Sequence, residues 1–486
     1  MWSDYLTPKT LDETIELLAA HAPHARLIAG GTDLVIELDR GLRTVQTLID
    51  ISRLPKLSPV SLDAEGRIHL GVAATHNDLL ASALCVERAF PLAQACRRIG
   101  APQIRNRGTI AGNLVTASPA NDSITPLMVL DAVLTLRSVR GKRVVKLVDF
   151  YTGVRRTVLQ PDEMLVDIAF KALQPNQRGC YLKLALRRAQ AISVVNCAVV
   201  LTMEGARVVE ARIALGAVTP TIVRVSAAEA SLVGHALDAG HISHAAELAR
   251  QAASPISDVR STAEYRAEMV QALVSRALHQ LADGTERAEW SDEPVLLDVS
   301  SVMASSAQTQ TEVQSAQPGN TLDFQVNGRP YHIQENSPGG KTLLRLLRED
   351  CGLIGTKEGC AEGECGACTL LLDGKAVMSC LVPAPRAQGA EIVTIEGVGG
   401  VGRVGSVVQD GTLHPLQTAF IQYGAVQCGY CTPGFIMSGA ALLVEHAHPT
   451  EDQIKESISG NLCRCTGYYK ILEAMRAAVP GVAVVA

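Results

Sequence analysis

The chain has 486 residues, 47% of them apolar and 19% charged, enough to bury about two to four cores of ordinary size, which excludes a small disulfide-stapled scaffold. A net charge of -5 leaves no electrostatic footprint for nucleic acid or an anionic membrane surface, so no nucleic-acid partner is expected. The longest apolar runs, such as residues 194–203, fall short of the roughly 20 residues of a spanning helix, and residues 1–8 have no secretory leader pattern, so a cytoplasmic protein without a membrane span is expected.

Residues 1–285 alternate short β-branched strands with amphipathic helices, an α+β or α/β pattern. An early helix follows Thr10, which forms a capping box with Glu13 and is continued by an apolar face of Leu11, Ile15, Leu18 and Ala22. A strand at residues 26–29 then runs into Gly30 and Gly31. Residues 301–320, SVMASSAQTQTEVQSAQPGN, hold four Ser, four Gln and one charge, with no periodicity and little to bury, as in a flexible linker. Beyond it, residues 322–326 and 331–333 flank Asn327-Gly328, a type I′ hairpin signal that opens a compact β-rich domain. From Leu413 the pattern turns helical: residues 415–423, 433–445, a helix capped by Thr450 and Gln453, and residues 466–479.

The 13 cysteines are unevenly spread. In GCAEGECGACTLLLDGKAVMSC, Cys360, Cys365 and Cys368 followed by Cys380 have the C-x4-C-x2-C spacing with a distant fourth Cys that wraps a plant-type [2Fe-2S] cluster. Gly359, Gly363 and Gly366 permit positive φ and remove bulk, so that backbone N–H groups can turn toward the sulfides. A zinc site is the competing reading, but zinc knuckles favour paired C-x2-C units. A second set, Cys428 and Cys431 with Cys463 and Cys465, falls at junctions between predicted helices, where four thiolates can converge on another cluster. A thioredoxin-like motif lacks its βαβ context here. Cys85, Cys96, Cys180, Cys197 and Cys351 stand singly and read as small buried hydrophobes.

Two glycine-bearing loops in the first half, Ala29 to Leu34 and Thr109 to Leu114, are suited to holding a pyrophosphate on backbone amides, though each also fits a simple turn. Asp122, in SPAND, is either a cofactor contact or a helix cap before residue 124.

These motifs carry a resemblance. AGGTDL, TIAGNLVTASPAND, YLKLALRRAQAISVVN and GAVTPTIVR resemble the FAD-binding medium subunit of the molybdenum hydroxylases, the xanthine dehydrogenase and aerobic carbon monoxide dehydrogenase family. GCAEGECGACT, QCGYCTPG and GNLCRCTGY resemble its iron-sulfur small subunit. The resemblance implies an α+β multidomain chain: an FAD-binding domain at 1–172, the C-terminal domain of the flavoprotein module at 173–285, and a linker at 286–320. A β-grasp plant-ferredoxin-like [2Fe-2S] domain at 321–396 and a four-helix-bundle-like [2Fe-2S] domain at 397–486 follow.

It further implies one cluster on Cys360, Cys365, Cys368 and Cys380, another on Cys428, Cys431, Cys463 and Cys465, and FAD on Leu27, Ile28, Ala29, Gly30, Gly31, Thr32, Asp33, Leu34, Thr109, Ile110, Ala111, Gly112 and Asn113. Ile99, Asp122, Leu165 and Lys183 fall at further flavin contacts; by pattern alone Lys183 reads as a solvated strand residue. Gln427 matches the glutamine that hydrogen-bonds the molybdopterin of a partner chain. Module order is reversed relative to fused xanthine dehydrogenases, a change that a twenty-residue linker reaching about 25 Å accommodates.

No molybdopterin domain is expected in this chain, so the resemblance places substrate chemistry on a molybdopterin-binding large subunit. The implied role is electron transfer from that partner through the Cys428 set, then the Cys360 set, to FAD and on to NAD+ or another acceptor, in a dimer of heterodimers. Two other readings remain: a self-standing NADH:acceptor reductase, and a zinc-stabilised interaction protein.

Overall fold

The computed structural model describes residues 1–54, 57, 60–304, 321–334, 340–399 and 413–479. The first helix, Leu11–His21, begins as its cap predicts: the Glu13 N–H donates to the Thr10 hydroxyl at 3.1 Å, and Thr14, Ile15 and Leu18 turn inward. The Glu13 carboxylate accepts the Lys9 N–H at 2.7 Å, one residue earlier than a standard box. Three parallel strands lie in the order Asp4–Leu6, Thr47–Asp50, Ala25–Ile28. Ile28 ends its strand just before Gly30, placing the glycine loop at the carboxyl edge of a parallel sheet, where α/β sheets bind ligands.

Among the described residues an antiparallel five-stranded sheet follows, in the order Val60–Leu62, Arg67–Gly71, Met164–Lys171, Val133–Ser138, Gly141–Lys146. Its core is shared with the helices Phe90–Arg97, Ile110–Thr116 and Ile124–Val129. The next unit is an antiparallel meander, Gln177–Leu184, Val195–Glu204, Arg207–Gly216 and Val223–Arg224. Its apolar face is buried under the helices Ala239–Ala252 and Ala263–Asp283.

Thr321–Val326 and Arg329–Gln334 form the expected hairpin, with Asn327 at φ 54° and Gly328 at φ 74°, as a type I′ turn requires. They join Glu391–Val393, Thr369–Leu372 and Lys375–Met378 in one mixed sheet. Four helices then pack around Phe420, Phe435, Met437 and Ile471: Pro415–Gln422, Thr432–Glu445, Glu451–Ser457 and Tyr469–Ala477. The predicted capping box of Thr450 and Gln453 is present.

The stretch expected to be a linker from residue 286 is packed over its first part. Val295, Leu297 and Val299 alternate into the core of the helical unit and are buried, the period-two signature of an extended segment. The Ala376 N–H donates to the Leu297 carbonyl at 3.0 Å and the Val299 N–H to the Gly374 carbonyl at 2.8 Å, so the segment lies along the Lys375–Met378 strand. Residues 305–320 of the expected linker lie outside the described residues.

The Glu445 carboxylate clamps this strap, accepting the Leu296 N–H at 3.0 Å and the Leu297 N–H at 2.8 Å. Burial pushes the Glu445 carboxyl up to about 7, against the two N–H groups that favour its ionised form. The folded chain therefore holds this proton to higher pH than the unfolded chain. The stability the proton confers is present below the unfolded value of 4.5 and is lost as pH rises through about 7. Urea titrations across about pH 5 to 8 are expected to show a stability decline whose slope is shallower in Glu445→Gln.

Candidate functional site

Both glycine-bearing loops open into one cavity of about 680 Å³, within the 300–1,000 Å³ usual for ligand sites. Gly30 abuts the second loop so closely that a Cβ there would meet the Arg107 carbonyl at 2.3 Å. Gly31 has φ +79°, and a Cβ on it would meet the Leu381 carbonyl at 2.6 Å. Thr109 caps the helix Ile110–Thr116, its hydroxyl accepting the Gly112 N–H at 3.0 Å. A strand end and a helix start thus face one space, the arrangement in which backbone amides receive an anion.

The structure brings Leu27 to Leu34, Ile99, Thr109, Ala111, Gly112, Asn113, Asp122 and Leu165 to the wall of this cavity. Ile110 instead turns into the apolar core, fully buried. Lys183 lies one residue back from the wall: its side chain is 5% exposed and its ammonium holds the Asp122 carboxylate at 2.6 Å. This corrects its reading as a solvated strand residue, which β-strand alternation could not distinguish from a buried ion pair.

Asp122 is not a helix cap. Ser123 occupies that position without a side-chain bond, and the Asp122 carboxylate accepts from Tyr181 at 2.7 Å and Ser193 at 2.6 Å as well as from Lys183. Burial, then the charge of Asp122, raises the Tyr181 phenol well above its ordinary value, so it remains a donor.

Cys360, Cys365, Cys368 and Cys380 converge. The N–H groups of Glu362, Glu364 and Cys365 donate to the Cys360 sulfur at 3.3, 3.2 and 3.4 Å, the inward amides expected of a glycine-rich loop. Gly363 and Gly366 have φ of 74° and 69°, as anticipated. Gly359 has no positive φ; its missing Cβ makes room for the Cys365 sulfur, which it would meet at 2.7 Å.

The four cysteines of the second set, Cys428, Cys431, Cys463 and Cys465, also meet. The Cys428 and Cys465 sulfurs are 3.5 Å apart, and the Cys463 sulfur accepts from the Thr466 hydroxyl at 3.1 Å. Burial, then the neighbouring Cys463 sulfur, pushes the Cys431 thiol up to about 12. The Cys431 thiol therefore keeps its proton until a metal displaces it. Cys428 and Cys465 are exposed, whereas Cys368 and Cys380 are buried. Gln427, beside Cys428, is also exposed.

The three sites form a row. The first thiol loop contributes Glu362, Gly363 and Glu364 to the cavity wall, and Leu381 beside Cys380 joins them; spacing singled out only Gly363 of these, because the contact is made across modules. Its other side meets the second thiol set: the Leu462 N–H donates to the Cys365 carbonyl at 2.9 Å, and the Asn461 amide to the Gly366 carbonyl at 3.0 Å. Tyr430 also donates to the Glu358 carbonyl. Gln190 ties the unit of the antiparallel meander to the first loop, its amide donating to the Gly363 carbonyl at 3.2 Å.

The residues present fit the implied groups: a cavity whose glycines leave no room for a Cβ, and two sets of four sulfurs. Residues 2–170 match the family described as FAD binding domain in molybdopterin dehydrogenase, and residues 180–281 the CO dehydrogenase flavoprotein C-terminal domain. Residues 324–392 match the 2Fe-2S iron-sulfur cluster binding domain and residues 394–476 the [2Fe-2S] binding domain. The nicotinate dehydrogenase small FeS subunit of Eubacterium barkeri is 47% identical over 159 residues, 33% of this chain and 94% of that one. The xanthine dehydrogenase FAD-binding subunit of Escherichia coli O157:H7 is 31% identical over 281 residues, 57% of this chain and 96% of that one. A solved structure of the carbon monoxide dehydrogenase from Hydrogenophaga pseudoflava superposes with a TM-score of 0.56 at 33% identity, covering 57% of this chain and 96% of that one. With its FAD-binding domain ahead of two [2Fe-2S] domains, the chain belongs to the xanthine dehydrogenase and carbon monoxide dehydrogenase family, as an oxidoreductase subunit.

Proposed function

We propose that this chain is the electron-transfer subunit of a molybdenum-dependent hydroxylase, receiving electrons from a molybdopterin-binding large subunit and delivering them to NAD+ or another acceptor. When bound, [2Fe-2S] clusters carry single electrons, and FAD exchanges electrons singly or in pairs. The cluster ligands are Cys360, Cys365, Cys368 and Cys380 in one set and Cys428, Cys431, Cys463 and Cys465 in the other. FAD lies against the segments at residues 27–34 and 109–113, with Ile99, Asp122 and Leu165 beside it and Lys183 holding Asp122.

The observation that carries this reading is the wedging of the first thiol loop between the second thiol set and the flavin cavity. The amides of Glu362, Glu364 and Cys365 stabilise negative charge on the Cys360 sulfur, one of the levers that set a cluster's potential. Buried Leu381 covers the loop toward the cavity, since a Cβ on Gly363 would lie 2.3 Å from its Cδ1, and such apolar cover limits solvent access. At the far end, exposed Cys428, Cys465 and Gln427 suit a site completed by a partner's surface. That exposure favours the partnered reading over a self-standing NADH:acceptor reductase. A dimer of heterodimers and a cytoplasmic location go with the same reading; no helix among the described residues is long and apolar enough to cross a membrane.

The purified chain is expected to carry about four irons and one FAD, to show two distinct [2Fe-2S] signals by electron paramagnetic resonance, to co-purify with a large second chain from its native host, and to hydroxylate no purine alone. A colourless zinc protein, or molybdopterin bound to this chain by itself, would sink the proposal. Gly30→Ala is expected to lower FAD content at least about tenfold while both cluster signals persist, because the added methyl meets backbone 2.3 Å away. Because Cys428 and Cys465 are exposed, an iron chelator is expected to bleach the second cluster before the first, followed by the loss of each signal with time.

A further inference from the structure

His76 stands outside the segments assigned to the cofactor. It opens the helix His76–Ala81, whose start is fixed by the reciprocal capping box of Thr75 and Asp78. Thr75 bridges Thr109, and the His76 N–H donates to the Gly108 carbonyl at 3.0 Å. The ring is pressed against Gly108, where a Cβ would lie 3.2 Å from the His76 Cδ2. Gly108 is also the residue whose Cα would lie 3.1 Å from a Cβ on Gly30. The imidazole therefore sits beneath the point where the two glycine-bearing segments touch.

His76 is 2% exposed and still lines the cavity. Its Nδ1 is buried with no hydrogen-bond partner among the described residues, although each of the neighbouring buried side chains Asn77, Arg105 and Asn106 has at least one. A buried polar atom in this state costs stability that a hydrogen-bonding ligand restores. Burial, then the Arg105 guanidinium, lowers its pKa to about 3, so near neutral pH the ring is uncharged, with one N–H to donate and one lone pair to accept. Phosphate recognition through ion pairing is not available to it; a directed hydrogen bond is.

We propose that His76 is a binding residue for FAD, its imidazole hydrogen-bonding the cofactor at the junction of the segments that contain Gly30 and Gly108. This rests on the reading of the cavity as the FAD site. The test compares flavin-free wild-type chain, His76→Phe and His76→Asn, all with clusters intact, by FAD titration and by thermal unfolding with and without FAD. His76→Phe keeps a ring in place but removes both nitrogens. It is expected to weaken FAD binding about tenfold and to shrink the FAD-induced rise in Tm, with the flavin-free Tm unchanged or higher because a buried orphan atom is gone. His76→Asn retains a donor and an acceptor and is expected to bind within about threefold of wild type. The proposal is overturned if His76→Phe binds FAD as tightly as wild type, or if it lowers the flavin-free Tm while leaving the FAD-induced rise intact. If wild type itself binds no FAD, the cavity assignment falls first.

Discussion

The relative placement of the cavity and the two thiol sets depends on the side chains of residues 103–107, of which Gln103, Arg105 and Asn106 are buried, centred on the one-turn helix Pro102–Arg105. The Gln103 amide reaches into the helical unit, donating to the Ser438 hydroxyl at 2.8 Å and the Asn461 side-chain Oδ1 at 3.1 Å. Ile104 lines the cavity and packs against the apolar cluster that contains Cys368, Cys380 and Leu381. The guanidinium of Arg105, buried, binds Glu456 at 3.1 Å, Asn77 at 2.9 Å and the Val295 carbonyl at 3.1 Å. Asn106 donates to the carbonyls of Leu296 and Ala376, and Arg107 to those of Ala29 and Gly30. The polar groups of Gln103, Arg105 and Asn106 are costly to bury alone and take partners from another module, whereas Arg107 ties the glycine loop to its own domain. Separating the modules would strand Gln103, Arg105 and Asn106 together, so the docking is specified by geometry as well as by apolar area.

Within that frame, the two thiol sets differ in environment. The first lies between modules, with two of its sulfurs buried and its loop amides turned inward. The second opens to the surface at Cys428 and Cys465. The same four-thiol chemistry is thus more buried at the cavity end and exposed at the end proposed for a partner, and dielectric and solvent access are among the factors that separate cluster potentials. The strap at residues 295–299 is joined to the helical unit by apolar alternation and the Glu445 clamp, and to the flavin module by Arg105 and Asn106, which donate to its carbonyls.

Much of this arrangement is legible in the chain. Thiol ligands are few, chemically particular and held at short spacings, so the sets Cys360 to Cys380 and Cys428 to Cys465 are recognisable from spacing alone. The Asn327-Gly328 turn and the Thr450 cap depend on one or two residues and form where expected. Other features do not depend on local pattern. Lys183 is an ordinary strand residue until Asp122, 61 positions away, is placed beside it. Ile110 belongs to a cofactor-like segment but faces the core because helix periodicity turns it inward. The strap alternates as a strand does, yet without its partner edge it resembles linker. His76 and Arg107 carry no motif; only the contact between two distant glycines gives them meaning.

The sequence by itself determined the chemistry available: eight thiols in two sets, two glycine-bearing loops, and the order of the modules along the chain, because covalent spacing and backbone sterics act over a few residues. Only the tertiary structure decided how these are arranged: which loop faces which cavity, which cysteines are exposed, and where Asp122, Lys183 and His76 lie. Those outcomes follow from desolvation and from hydrogen bonds between residues tens to hundreds of positions apart, and no local pattern encodes which buried polar group will find which partner.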